Sequence, residues 1–327
     1  MLVSVVLPLL NEEENIPLLY DELKGVLVGL ECDHEIVFVD DGSTDTSLEL
    51  MENIQAKDDK VVVVTFRKNF GQTAAMAAGF DYATGDVIIT MDADLQNDPH
   101  DIPLLLEKVD EGNDVVTGWR FDRKDKFISR RLPSIIANKL ISVTTGVSLH
   151  DYGCTLKAFR RDVIKNVKLY GEMHRFIPAI ASGMGIDFTE VKVNHRPRRF
   201  GTSKYGISRT IRVLLDLMTV KFLLSYATRP IQVFGLMGFL SGGAGFLIAM
   251  ILSIQKLFFK MPLGDRPMLL LAIMLIFIGF QFVTMGLLAE LQARTYHESQ
   301  NKPVYFVRRV IGGKAAKSEG SVGNAPT

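Results

Sequence analysis

Two cysteines in 327 residues, Cys32 and Cys154, exclude a disulfide framework and any cysteine-rich metal centre, and they suit a reducing compartment. Net charge is missing too. The 37 basic residues balance 37 acidic ones, so no global field draws the chain to nucleic acid, and no such partner is expected. Tryptophan occurs once, as Trp119. The histidines (His34, His100, His150, His174, His195 and His297) are scattered, and none has a partner at metal-ligand spacing. The opening stretch MLVSVVLPLLNEEEN has no basic start and turns acidic early, so it reads as a buried first strand rather than a signal peptide. No internal repeat is visible.

What is present is segregated. A mean hydropathy of +0.18 is high for a chain with 23% charged residues, so polar and apolar sequence must occupy different parts of it. Up to about Phe200, the short β-branched runs LVSVVLPL, EIVFVDD, VVVVTF, DVIITMDAD and DVVTGW alternate with helix-like stretches at Asn15–Leu30, Thr44–Ala56 and Gln72–Ala83. That alternation predicts an α/β domain, a mostly parallel Rossmann-like sheet covered on both faces. Ligands of such sheets sit beyond the carboxyl ends of the strands.

After Phe200 the pattern changes. Gly206–Ala227 sets Arg209, Arg212, Asp216 and Lys221 among apolar residues, as an interfacial helix or a packed surface helix does. Ile231–Ile254 and Met268–Leu288 follow, each of roughly 20 nearly uncharged residues, the length that crosses a bilayer. Arg209, Arg212, Lys221 and Arg229 precede this hairpin, and Arg294, Lys302, Arg308 and Arg309 follow it. The short connection holds Lys256, Lys260 and Arg266 against Asp265. The excess favours both termini in the cytoplasm of a multi-pass inner-membrane protein. The expected division is 1–203 for the α/β domain, 204–229 for the amphipathic helix, 230–290 for the hairpin and 291–327 for a partly disordered tail. Small residues in GLMGFLSGGAG let helices approach closely, within one chain or between copies, so a homo-oligomer is a candidate assembly.

The chemistry concentrates in VIITMDADLQNDP, where a buried run ends in Asp92-Ala93-Asp94. Two carboxylates at a strand end can hold a hard divalent cation against a diphosphate, since Mg2+ and Mn2+ prefer oxygen ligands. The same residues can instead cap the helix that QNDPHDI begins.

Five motifs in order give this sequence its resemblance. VVLPLLNEEENI, VDDGSTD, DADLQNDP, DYGCTLKAFRRDV and RRFGTSKYG, with the terminal hairpin, resemble the family 2 glycosyltransferases of GT-A fold. Within them the chain is similar to the polyprenyl-phosphate glycosyltransferases, such as bacterial bactoprenol glucosyltransferases and dolichol-phosphate mannosyltransferases. The resemblance implies inverting transfer of a sugar from a nucleotide donor to a lipid phosphate, with UDP-glucose and undecaprenyl phosphate as the expected pair. GDP-mannose, UDP-GlcNAc and UDP-amino-arabinose are the alternative donors, and a non-catalytic nucleotide-sugar sensor or scaffold is the alternative class. A processive synthase would carry Q-x-x-R-W, which Trp119 does not complete.

The resemblance also implies residue roles. Pro8, Leu10, Glu12 and either Asp40 or Asp41 match positions that hold base and ribose. Asp92, Asp94 and Gln96 match those of the metal, Mg2+ or Mn2+, and of the diphosphate. Asp151 matches an acid near the reaction centre, which could orient sugar hydroxyls or hold a basic side chain. Arg120, Arg130 (or Arg131), Ser134, Arg198, Ser203 and Lys204 match contacts to the acceptor phosphate, where a guanidinium fork suits phosphate oxygens. Cys154 reads as a small buried filler.

Overall fold

A computed structural model describes residues 1–121, 138, 141–142, 147–167, 169, 173–182, 184–197, 199, 231–259, 267–299 and 305–313. These fall into two compact units, one built from residues up to 199 together with 305–313, the other from 231–299.

The first unit is an eight-stranded sheet. Its strands are β1 (Leu2–Leu9), β2 (Asp33–Asp40), β3 (Val61–Phe66), β4 (Val87–Thr90), β5 (Val115–Arg120), β6 (Lys157–Arg160), β7 (Phe188–Val193) and β8 (Val307–Ile311), in the order β7-β5-β6-β4-β1-β2-β3-β8. The central strands β4, β1, β2 and β3 run parallel, as β5 does with β7. Strand β6 is antiparallel to β4 and β5, and β8 is antiparallel to β3. The expected mostly parallel sheet is therefore present, with β6 inserted between parallel neighbours.

Among the described residues, the sheet is accompanied by helices α1 (Ile16–Val28), α2 (Ser47–Gln55), α3 (Gln72–Tyr82), α4 (Ile102–Asp110), α5 (Arg161–Ile164) and α6 (Ile177–Ser182). Helix α1 presents Ile16, Leu19, Leu23 and Leu27 at helical spacing, all fully buried against the odd-numbered residues of β1. Each such side chain contributes about 2 kcal/mol on burial. Helix α3 is nearly apolar all round, and Gly79 lets it lie directly on Val6.

The even-numbered residues of β1 address β4, as Met91 N–H to Val6 C=O at 3.2 Å shows, and the odd-numbered ones address β2, as Asp41 N–H to Leu9 C=O at 2.9 Å shows. The β1–β4 ladder stops at Val6↔Thr90. Pro8 thus faces the β4 side beyond that strand's end, where its missing N–H costs no ladder bond.

Strand β8 departs from the expected tail. Residues 305–313 belong to the first unit, and β8 covers the β3 edge that would otherwise stand open. Arg308 and Arg309, counted above among the charges flanking the hairpin, are strand residues, and Arg309 pairs with Glu52. The amphipathic stretch 204–229 and most of GGKAAKSEGSVGNAPT lie outside the described residues.

The second unit is a helical hairpin, α7 (Ile231–Phe259) and α8 (Pro267–Ser299). Both helices are long and apolar enough to cross a membrane. They differ from core helices of a soluble protein in leaving most of their apolar side chains uncovered, Phe239 81% exposed and Phe277 69%. Gly238 and Gly245 of α7 lie against Gly279 and Ala272 of α8, where a Cβ on either would stand 2.7 Å from a backbone oxygen, and a Cβ on Gly279 would stand 2.6 Å from the Gly242 backbone nitrogen.

Candidate active site

The acidic residues gather at one edge of the sheet. Strands β1, β2, β4 and β5 end there, and antiparallel β6 begins there, with Lys157 beside Thr90. Among the described residues only Asn11 (φ 53°) and Leu95 (φ 61°) combine a side chain with a left-handed backbone. They follow β1 and β4 at this edge. For a buried leucine that conformation costs on the order of 1 kcal/mol, and such strain concentrates at functional segments.

After β1 the chain is tied to the loop after β2. Asn11 N–H donates to Ser43 Oγ at 2.9 Å, Thr44 N–H to Asn11 Oδ1 at 2.8 Å, and Glu12 N–H to Ser47 Oγ at 2.9 Å. Glu12 Oε2 accepts from Asn15 Nδ2 at 2.6 Å. Glu12 and its neighbours Asn11, Glu13, Glu14, Asn15, Thr44 and Asp45 line a cavity of about 330 Å3. Pro8 is buried and Leu10 half-buried.

The two candidates for the base contact have different tasks. Asp40 Oδ1 accepts from Ser43 N–H at 2.9 Å, which shapes its own turn. Asp41 reaches across to the segment after β3, accepting from Phe70 N–H at 2.7 Å and Gly71 N–H at 2.9 Å. Burial raises the Asp41 carboxyl above its ordinary range, and those two amides oppose the rise.

The same segment then touches the second acid pair. Gln72, the first residue of α3, donates its side-chain amide to Asp92 Oδ1 at 2.8 Å. Asp92 also accepts from the Thr155 hydroxyl, and burial together with Asp94 pushes its carboxyl up to about 6. Asp94, buried, accepts from Gln96 N–H at 3.1 Å. Two neighbouring carboxylates, one raised by burial and by the other's charge, form an oxygen donor set with surplus negative charge. A hard divalent cation fits that set. Gln96 donates its side-chain amide to Arg196 C=O at 3.4 Å.

The DYGCTLKAF segment supplies one cation, Lys157, and holds a second, Arg120 at the end of β5. Asp151 is buried and grips Arg120 in two bonds, Nε to Oδ2 at 2.6 Å and Nη2 to Oδ1 at 2.9 Å, while Gly153 N–H adds a third at 3.1 Å. Of the two roles left open for Asp151, this geometry is that of holding a basic side chain. Lys157 is buried with its ammonium on the carbonyls of Cys154 and Tyr152. Burial lowers its pKa, and Cys154, Asp151 and Asp92 oppose that. Cys154 is fully buried, its thiol pushed up to about 11, which fits a filler. His174 is buried, with Nδ1 2.8 Å from Thr73 Oγ1. Burial first, then Arg175 and Lys157, press its pKa down to about 3, so it is neutral.

Another acidic group lies apart from these residues in character. Glu22, Asp98 and His100 could together reach one ion. Arg196 already fills that role, with two bonds to Glu22 at 2.7 and 2.9 Å and one to Asp98 at 2.7 Å. Burial of Asp98 is outweighed by Asn194, His100 and Arg196, which hold its carboxyl at about 2. That group is an ion-paired structural cluster, its two carboxylates already engaged by Arg196.

Arg130, Ser134, Arg198, Ser203 and Lys204, expected at the acceptor phosphate, lie outside the described residues, as does Arg131; Arg120 alone of that set is described. The sequence reading missed Gln72, Thr155 and Lys157. Lys157 had a legible signal, a lysine inside the apolar run TLKAF. Gln72 had none, because its role depends on a strand 20 positions later.

A family profile, "Glycosyl transferase family 2", matches residues 4–168. The dodecaprenyl-phosphate galacturonate synthase of Rhizobium johnstonii is 44% identical over 312 residues, 94% of this chain and 92% of that protein. The undecaprenyl-phosphate 4-deoxy-4-formamido-L-arabinose transferase of Pseudomonas fluorescens is 39% identical over 316 residues, 96% of this chain and 91% of that one. Among solved structures, glucosyl-3-phosphoglycerate synthase from Mycobacterium tuberculosis, in complex with Mn2+ and UDP-glucose, superposes with a TM-score of 0.53 at 19% identity, over 68% of this chain and 78% of that one. Mannosyl-3-phosphoglycerate synthase from Rubrobacter xylanophilus gives 0.56 at 16% identity, over 68% and 74%. At those identities the two structures speak for the GT-A fold alone.

Proposed function

The chain belongs to glycosyl transferase family 2, among its polyprenyl-phosphate sugar transferases, and from that premise we propose that it moves a sugar from a uridine diphosphate donor to undecaprenyl phosphate or a prenyl phosphate of similar length. The observation that carries this reading is the meeting of two acid pairs, Asp40–Asp41 and Asp92–Asp94, at one sheet edge, joined through the segment that ends in Gln72. Asp40 or Asp41, Glu12, Pro8 and Leu10 would line the nucleotide side.

Asp92 and Asp94 would hold a Mg2+ or Mn2+ ion, which supplies positive charge against the departing diphosphate. The bond from the anomeric carbon to the diphosphate oxygen breaks, its electron pair leaving with the nucleotide, as an acceptor phosphate oxygen bonds to that carbon from the opposite face. A phosphate monoester has a second pKa near 6 and is largely dianionic at neutral pH, so it needs no strong base. Orientation and charge management therefore dominate the chain's contribution. Arg120, fixed by Asp151, is the described cation suited to the incoming phosphate.

Glucose, the sugar expected from sequence, is not the sugar in these relatives' names. They are named for galacturonate and formamido-arabinose, which favours a donor of that kind. The hairpin would anchor the chain in the inner membrane with both termini cytoplasmic.

The test is a transfer assay in detergent with undecaprenyl phosphate and labelled UDP-galacturonate, UDP-formamido-arabinose, UDP-glucose, UDP-GlcNAc and GDP-mannose. It is run with and without EDTA, on the natural chain and on Asp94→Ala. Metal-dependent labelling of the lipid by one donor, lost in the variant, is the expected result. Nucleotide binding without labelling of any accessible prenyl phosphate would overturn the reading in favour of a sensor.

A further inference from the structure

The chain returns to the catalytic sheet after the hairpin, and it does so beside a segment that ties both acid pairs. Strand β8 pairs with β3 from Val63↔Ile311 to Phe66↔Val307, with an irregularity between Thr65 and Phe66. Beyond that irregularity Arg67 N–H donates to Phe306 C=O at 3.2 Å. The Tyr305 ring stacks on Phe66 with centroids 5.1 Å apart and planes at 14°, and its hydroxyl donates to Asp81 Oδ2 at 2.6 Å, at the far end of α3. Phe70 meets Phe66 edge-on at 5.7 Å and Phe306 at 6.0 Å. Residues 66–70 are thus held by an aromatic cluster, two of whose four rings come from the C-terminal segment.

On its other side the segment meets the site. Phe70 and Gly71 N–H fix the Asp41 carboxylate, Gln72 fixes Asp92, and Gly42 packs so closely on Lys68 and Asn69 that a Cβ there would stand 2.8 Å from a backbone carbon. A shift of 66–72 cannot leave either acid pair where it is. We propose that Tyr305 and Phe306 are positioning residues for the nucleotide site, acting through residues 66–72 on Asp41 and Asp92. The proposal rests on the reading above, that these acids face the donor.

The test uses the full-length protein in detergent, with UDP and Mn2+ as the probe, in the natural chain, Phe306→Ala, Tyr305→Ala and Tyr305→Phe. Isothermal titration gives the Kd, and amide exchange follows the peptide over 66–72. Phe306 is 66% exposed, so its truncation leaves the fold intact and decides the matter should Tyr305→Ala not fold. In the alanine variants the Kd should rise about ten-fold, with faster exchange at 66–72, since a loosened segment must be ordered again on binding and that ordering subtracts from the affinity. Tyr305→Phe keeps the stacked ring and should retain most of the affinity. A merely structural role would reduce the fraction of protein that binds without moving the Kd of the remainder. An unchanged Kd in folded Phe306→Ala overturns the inference. Failure of the natural chain to bind UDP overturns the functional reading beneath it.

Discussion

The side-chain amide of Gln72 lies 2.8 Å from Asp92 Oδ1, so the first residue of α3 steadies a carboxylate at the end of β4. A neutral donor is suited to that task, because it orients the oxygen without cancelling charge that a cation would need. Gln72→Ala is therefore expected to lower kcat/KM about ten-fold with little change in melting temperature. Gln72→Glu is expected to do more harm, since it adds a carboxylate beside Asp92 and Asp94. Steady-state kinetics over a Mn2+ series checks both variants. The glutamate variant should recover partly at high metal concentration, and the alanine variant should not.

Arg120 and Asp151 form the most completely buried ion pair described in the molecule's sheet edge, with side-chain exposures of 16% and 3%. Removing one partner strands the other's charge, so Arg120→Ala and Asp151→Ala should each destabilise the protein by about 3 kcal/mol. The double variant should lose markedly less than the sum, because neither charge is then left alone. Thermal melts of the four proteins close the cycle. Arg120→Lys should restore little, since an ammonium cannot make the two parallel bonds.

His174 predicts a pH dependence with a definite sign. Its folded pKa is about 3, far below the ordinary value near 6.5. Between those values the unfolded chain binds a proton that the folded chain does not, so folding loses stability as pH falls below about 6.5, by up to about 1.4 kcal/mol per pH unit. His174→Gln should flatten the decline in melting temperature between pH 7 and pH 5. His34, also held down by burial, keeps part of the slope in that variant. Equal slopes for the two proteins would show that His174 does not carry the effect.

The parts of the fold legible in sequence were those whose signal is local. Apolar runs of β-branched residues located β1, β2, β3 and β5 within a residue or two, DVIITMDAD ran four residues past the end of β4, and the helix-like stretch Asn15–Leu30 located α1. Strands β6 and β7 were not legible, because KAFR and FTEVKV are short and half polar and owe their pairing to distant partners. Strand β8 was harder still, since VRRVI follows a membrane-length helix and reads as a basic flank. At the site, acids at strand ends could be foreseen from composition and order. The Gln72–Asp92 bond and the Asp41 contact with Phe70 and Gly71 could not, because both depend on how β3, β2 and β4 stand together.

The hairpin offers a paired test of close packing. A Cβ on Gly279 would stand 2.6 Å from the Gly242 backbone nitrogen and 2.7 Å from the Gly238 carbonyl oxygen, and neither backbone atom can give way. On Gly243 a Cβ would meet nothing within 4 Å. Without a hydrophobic force between helices in lipid, such backbone contact supplies much of their attraction. Gly279→Val should therefore part α7 from α8 and lower the melting temperature in detergent, whereas Gly243→Ala should be nearly silent in the isolated chain. Cysteine pairs placed across the α7–α8 contact should cross-link readily in the natural hairpin and in Gly243→Ala, and poorly in Gly279→Val. A Gly243→Ala variant that keeps this cross-link but migrates as a smaller species in native detergent gels would assign the outer glycine face to contact between copies of the chain.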